Sequence, residues 1–146
     1  MNLRLWQWMH DCTISLSEED LATRTRSFLV DCAWEMGMAA PLRHCRLELR
    51  SVSLCRLSIA NDGEVSFVES DFIAGHEFTV LTAALDDDEI TLRVTGDVEL
   101  DGVRHGFGLL ELIYDHDYVM APPRDSLPSA ELVTLLDKAA ARHWAD

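Results

Sequence analysis

Residues 90–114 read ITLRVTGDVELDGVRHGFGLLELIY, and this stretch decides the fold class. Ile90, Leu92 and Val94 alternate with polar residues, and Val98 and Leu100 keep the same even phase beyond Gly96. A period of two is the period of a half-buried strand. Asp101-Gly102 supplies a pair that tolerates positive φ, the requirement of a tight hairpin turn. The return strand begins at Val103 and passes through Phe107, Leu109, Leu110, Leu112 and Ile113 to Tyr114. Near its end the apolar residues fall on both faces, which predicts a central position in a sheet. Gly106-Phe107-Gly108 opens like a glycine-rich phosphate loop, but it lies inside the strand pattern and no helix follows. A bulge or a close strand crossing is the expected reason for these glycines.

On the N-terminal side the same period recurs. Cys45, Leu47, Leu49, Cys55, Leu57 and Ile59 share one phase, with Ser51 and Ser53 between them. That predicts one long bent strand, or two strands broken near Ser51–Ser53. Asn61-Asp62-Gly63 is a turn, followed by a strand through Val65, Phe67 and Val68. Phe78–Leu85 reads as strand through its Thr and Val, although Ala83-Ala84-Leu85 would also suit a helix. Further back the spacing changes. Leu21, Thr25, Phe28, Leu29, Cys32 and Met36 recur every three or four residues, which predicts a helix from Glu18 to Met36. Ser17 serves as its N-cap, Glu18, Glu19 and Asp20 fill its first turn, and Gly37 ends it. Val30 and Trp34 lie off that stripe. On the C-terminal side, Pro122, Pro123 and Pro128 predict an irregular connection. A last helix starts near Ser129, with Leu132, Leu135, Leu136, Ala139 and His143 on one stripe. The whole of 1–146 is expected to be one α+β domain: an antiparallel meander of five or six strands flanked by an N-terminal and a C-terminal helix.

Charge is the most uneven feature. The chain holds 12 Lys and Arg against 26 Asp and Glu, a net charge of −14. Residues 1–56 contain seven Arg and seven acids and sum to zero, so residues 57–146, with five bases and 19 acids, carry all of it. Nucleic acid and anionic membrane surfaces are excluded as general partners, because both demand basic surface. The acids gather at turns and strand ends: Asp86, Asp87, Asp88 and Glu89; Asp97, Glu99 and Asp101; Asp115 and Asp117. In a meander, alternate turns meet on one sheet edge, so these nine are the expected contact residues for a cognate protein with a basic surface. Solubility alone calls for a net charge of only ~2–8 on a small domain.

Chemistry is sparse. Cys12, Cys32, Cys45 and Cys55 form no Cys-x-x-Cys pair and read as buried free thiols in a reducing compartment. A zinc set of His10, Cys12, His44 and Cys45 matches no standard finger spacing. Asp115-His116-Asp117 alternates across a strand and cannot converge on one ion. No catalytic residue, metal or cofactor is expected. The remaining route to an enzyme or ligand-binding domain is His105 combined with Asp115 or Asp117. Met1–His10, interrupted by Gln7 and His10, lacks the apolar core of a signal peptide, and no apolar run approaches the ~20 residues of a membrane span. A cytoplasmic protein is expected.

Two segments, Cys55–Phe67 and Leu127–Trp144, resemble the first hairpin and the closing amphipathic helix of class I type III secretion chaperones, which are small acidic cytosolic dimers. That family carries a helix in the middle, where this chain has the Ile90–Tyr114 hairpin. The overall format, small, acidic and poor in motifs, also resembles bacterial immunity proteins that neutralise toxins. The expected function is therefore non-enzymatic: binding and neutralising a basic cognate protein as a toxin-immunity protein, with a monomer favoured. The alternative is a homodimeric effector chaperone. Should the acids be only a solubility device, Trp6, Trp8, Val30 and Trp34 are the apolar contact candidates.

Overall fold

Asn2 ends the extended N-terminal backbone, and its side-chain oxygen accepts the Leu5 N–H at 3.2 Å. That cap starts a six-residue helix, α1 (Leu3–Trp8), which buries Leu5 and Trp6. The computed structural model describes residues 1–34, 42–61, 64–68, 76–100, 102–121 and 124–145. After α1 come ten strands: β1 (Thr13–Asp20), β2 (Thr25–Trp34), β3 (Leu42–Arg50), β4 (Leu54–Asn61), β5 (Glu64–Val68), β6 (His76–Leu85), β7 (Leu92–Leu100), β8 (Val103–Ile113), β9 (His116–Ala121) and β10 (Arg124–Pro128). A second helix, α2 (Ser129–Ala145), closes the chain. The class is α+β, as expected, but the sheet is larger than five or six strands.

Nor is it a simple meander. The strand order is β10-β9-β3-β2-β1-β6-β7-β8-β4-β5, antiparallel throughout. Strands β3 and β4 stand six places apart in this order, yet only residues 51–53 separate them. In a flat sheet six spacings of about 4.8 Å would span about 29 Å, whereas four peptide steps reach at most ~14 Å. The sheet must therefore curl until its two halves face each other. Backbone hydrogen bonds pin the crossings: Val52 N–H to Arg24 O at 2.9 Å, Ser53 N–H to Ile113 O at 2.9 Å, and Asp115 N–H to Arg50 O at 3.1 Å. The halves β10-β9-β3-β2-β1 and β6-β7-β8-β4-β5 join where Thr13 pairs with Thr79 and Ile14 with Phe78.

The space between them is the core. Ile14, Phe28, Val30, Leu47 and Leu49 from the first half meet Leu57, Phe78, Val80, Leu92, Leu110 and Leu112 from the second in one buried cluster. Helix α1 packs on β6, α2 packs on β9 and β10, and the helices touch each other, so together they bridge the half-sheets. Leu132, Leu136 and Ala139 on α2 are buried as the stripe predicted. No helix among the described residues is long and apolar enough to cross a membrane.

The expected helix over Glu18–Met36 is a hairpin instead. Ser17–Asp20 ends β1, and Asp20 Oδ1 accepts the Ala22 and Thr23 N–H groups at 3.0 and 3.3 Å. The side chain that could cap a helix makes an Asx turn here, because short carboxylates serve both purposes. Burial then alternates: Phe28 and Val30 are buried, while Leu29 is 49% and Leu21 77% exposed. The 3–4 spacing had mixed two strand faces. Residues 35–41, which include the expected Gly37 stop, lie outside the described residues. The proline-marked connection is also a correction. It holds the β9–β10 hairpin, with Pro128 ending an edge strand where a missing N–H is tolerated, while Pro122 and Pro123 lie outside the described residues.

The other strand readings hold. The phase from Cys45 to Ile59 is two strands broken at 51–53, Phe78–Leu85 lies in β6, and β8 sits between β7 and β4. The exception is Ile90, which lies outside β7 and is 56% exposed. The glycines of β8 mark both a bulge and a close crossing. Val98 pairs with Gly106 and Glu99 with Arg104, which leaves His105 as the extra residue. Gly96 and Gly108 pair across β7 and β8 under the Phe78 ring.

Candidate functional site

The residues of the acidic turn do two different jobs. Asp86 builds it: its Oδ1 accepts the Ile90 N–H at 3.0 Å and the Thr91 N–H at 3.1 Å, and its own N–H donates to Thr91 O at 2.9 Å. The bond from the Thr91 backbone, more than any other influence, holds the Asp86 carboxyl below its ordinary range. Asp87, Asp88 and Glu89 point into solvent from this loop and pair with no cation among the described residues. Glu89 has φ +58°, a left-handed conformation that tightens the turn.

The other predicted contact residues divide between two ends of the β6-β7-β8 half-sheet. Leu92 pairs with Leu112, so the 86–89 turn and exposed Asp115 stand at one end, two strands apart. Asp97 and Glu99 belong to the opposite end of β7, about 20 Å away along the strand. Asp101 falls outside the described residues. Alternate turns do meet, but they form two acidic ends rather than one pole. Asp97 is also partly neutralised by Arg104 at 2.8 Å.

Asp117 is a structural residue. Its Oδ2 accepts the Asn2 N–H at 2.9 Å and the Tyr114 hydroxyl at 2.6 Å, and its Oδ1 accepts the Ser129 hydroxyl. Tyr114 in turn accepts the Trp6 Nε1–H at 2.8 Å. This buried chain ties α1, the end of β8 and the start of α2 together. Burial, reinforced by the Asp117 charge, pushes the Tyr114 phenol well above its usual range. His105 lies eight residues up β8 from Ile113, about 27 Å from the Asp115 and Asp117 corner, so these groups do not converge.

The cysteines follow the buried-thiol reading where they are described. Cys12, Cys45 and Cys55 are free and buried. Burial, helped by nearby Cys12, pushes the Cys45 thiol up to about 12, far from a reactive thiolate. His10 is exposed and pairs with Asp11 at 3.0 Å. Two open clefts remain. One, over β1, β2 and β3, is lined by Glu18, Asp20, Arg46, Glu48 and Arg50. These charges are already engaged within the chain: Arg46 meets Glu18 at 3.5 Å, Arg50 meets Glu48 at 3.3 Å and stacks over Tyr118 at 4.1 Å, and Asp20 takes the Ala22 and Thr23 N–H groups. The other surrounds the committed Asp117 carboxylate. Among the apolar contact candidates, Trp6 and Val30 are buried core residues, and Trp8 packs against the core with its Nε1–H on Asp137 at 3.1 Å. The side chain of Trp34 lies outside the described residues.

Sequence reasoning passed over one pair of residues, His76 on β6 and His105 on β8, whose ring centroids are 6.1 Å apart. Nothing in the local sequence marks the pair, because the β8 bulge creates it. The chain matches no family model, and no curated protein or solved structure shows significant similarity to it.

Proposed function

We propose that the protein binds a cognate protein of basic surface through the acidic end formed by the 86–89 turn and Asp115, and that neutralising a toxin, as an immunity protein does, is the sharpest form of this activity. One observation carries the reading. Six described arginines (Arg4, Arg26, Arg46, Arg50, Arg56 and Arg104) stand within 4 Å of an acid of the same chain, while Asp87, Asp88 and Glu89 have no such counter-ion among the described residues. Uncompensated carboxylates on a rigid turn project a field into solvent that speeds the capture of a basic partner. A toxin acting on nucleic acid presents such a basic groove, and carboxylates can occupy the positions of its phosphates.

The test leaves Asp86 in place, because it holds the turn. Asp87→Asn, Asp88→Asn and Glu89→Gln are combined, and stopped-flow association is measured with the cognate basic partner at low and physiological salt. The wild-type on-rate should fall steeply with salt, and the triple variant should associate several-fold more slowly at low salt. Equal, salt-independent rates would remove the acidic end from the mechanism. A second reading has its own observation. Val103 and Phe107 on β8 are 63% and 50% exposed, apolar side chains of the kind a chaperone would use to hold an effector segment. A stable homodimer in light scattering would favour it, and a monomer would favour the immunity reading.

A further inference from the structure

His76 opens β6 and is 4% exposed. His105 is half-buried on β8, with β7 between the two strands. In a regular strand His105 would share the outward phase of Phe107. The bulge prevents this: His105 is the unpaired extra residue, and the adjoining Gly106 takes φ +132°, a conformation open to glycine. Bulges re-aim single side chains. Here the result is two imidazoles with ring centroids 6.1 Å apart and planes inclined at 61°.

We propose that His76 and His105 form a two-imidazole site for one divalent ion of the zinc, copper and nickel group. Imidazole is the preferred donor for these ions, with metal–nitrogen bonds of about 2.0–2.1 Å. Two such bonds plus the half-widths of the rings span nearly the observed separation, so small side-chain rotations bring one nitrogen of each ring onto a shared ion. Each ring keeps its second nitrogen for another partner, as ligating histidines do. Burial holds His76 in place, while the half-buried His105 leaves a route for the ion. The same end of the sheet carries Glu77, Asp97 and Glu99 against Arg104, a local excess of negative charge that concentrates divalent cations. No third His, Cys, Asp or Glu completes the set among the described residues, so water fills the remaining positions. The site is therefore open and dispensable for folding, unlike closed structural zinc sites.

Zinc itself is the probe, titrated calorimetrically into chelator-stripped, reduced protein. One equivalent should bind, and the ring 1H–15N signals of His76 and His105 should shift together. His105→Ala should lose saturable binding, or weaken it at least tenfold, and keep its circular dichroism spectrum. His116→Ala, at the start of β9 and beyond the far end of β8, should bind like wild type. Binding that survives His105→Ala would overturn the proposal. So would saturation of the wild type with neither ring shifting, or no binding at millimolar zinc. Should His105→Ala fail to fold, the ring shifts of the wild-type protein decide the matter alone.

Discussion

Replacing Gly96 with alanine should destabilise the protein more than the same change at Gly108, although the two residues face each other across β7 and β8. A methyl group at Gly108 would meet side chains: Val98 Cγ2 at 2.5 Å, the Phe78 ring at 3.0 Å and Leu57 Cδ1 at 3.3 Å. A methyl group at Gly96 would meet the Phe78 ring at 2.7 Å and, closer still, the backbone carbonyl oxygen of Thr79. Side chains can yield by tenths of an ångström, whereas a carbonyl on the adjoining strand moves only with the strand. Overpacking costs about 1–3 kcal/mol, and alanine's smaller unfolded-state entropy returns about 0.4–1 kcal/mol of it. Gly108→Ala should therefore lose about 1 kcal/mol, and Gly96→Ala, at the upper end of the range, about 2–3 kcal/mol. At this chain length each kcal/mol corresponds to roughly 2–4 °C of melting temperature. Phe78→Leu separates the causes: in that background the Gly108→Ala penalty should shrink, since a shared neighbour makes the two changes non-additive. The Gly96→Ala penalty should largely remain. Urea unfolding monitored by circular dichroism reads all three, with an unchanged m-value as the check on two-state behaviour. If Gly96→Ala proves neutral, or Phe78→Leu rescues it completely, the Thr79 carbonyl is not the obstacle.

Four further outcomes are expected. Tyr114→Phe should cost about 1–3 kcal/mol in urea unfolding, because it strands the buried Trp6 N–H and removes a donor from Asp117. Alkaline pH should destabilise the protein. Cys45 rises from 9.0 to about 12 on folding, so its contribution is complete below pH 9 and falls away toward pH 12, by about 4 kcal/mol in all; Cys45→Ala should flatten that part of the pH–stability curve, and Tyr114 adds loss in the same direction above pH 10. Asp86→Ala should lower the melting temperature, and Asp86→Asn, which keeps an acceptor oxygen but not the charge, should lower it less; because the carboxyl is held low, the wild-type advantage over Asn is present above the ordinary carboxylate range and is lost as pH falls from there through the lowered value. Ser51 sits at φ +57° in the β3–β4 crossing, so Ser51→Gly should gain up to about 1 kcal/mol while a β-branched Ser51→Val loses more than that in the same unfolding assay.

Legibility followed the range of the forces involved. The hairpin around Asp101-Gly102 and the strands bearing Leu47 and Leu57 were readable because alternation and turn chemistry act over a few residues. The β1–β2 hairpin was not. Asp20 satisfies backbone N–H groups in a turn as readily as at a helix start, and adjacent Phe28 and Leu29 imitate a helical stripe while lying on opposite faces of a strand. Helix α1 went unread because six residues show too little periodicity. The curl of the sheet depends on pairings such as Leu57 with Leu110, which leave no local trace. The candidate site divides the same way. The solvent-facing acids of the 86–89 turn were legible as a charge run, but the structural duty of Asp117 and the meeting of His76 with His105 arise only when distant strands are in place.

The strand order also has a consequence during synthesis. Strand β4 has β5 beside it as soon as both are made, but its other neighbour, β8, follows only after residues 69–102. Leu57 pairs with Leu110, 53 positions later. At ribosomal rates of about 5–20 residues per second, the completed β4–β5 hairpin waits for roughly 2–8 s with an open hydrogen-bonding edge, and with Cys55, Leu57 and Ile59 lacking their final cover. An unpaired apolar edge of that kind invites pairing with other nascent chains. The yield of folded protein in a cell should therefore depend on how quickly residues 103–113 leave the ribosome tunnel. Slow codons between residues 62 and 102 should shift the product toward aggregates without changing the stability of the molecules that do fold.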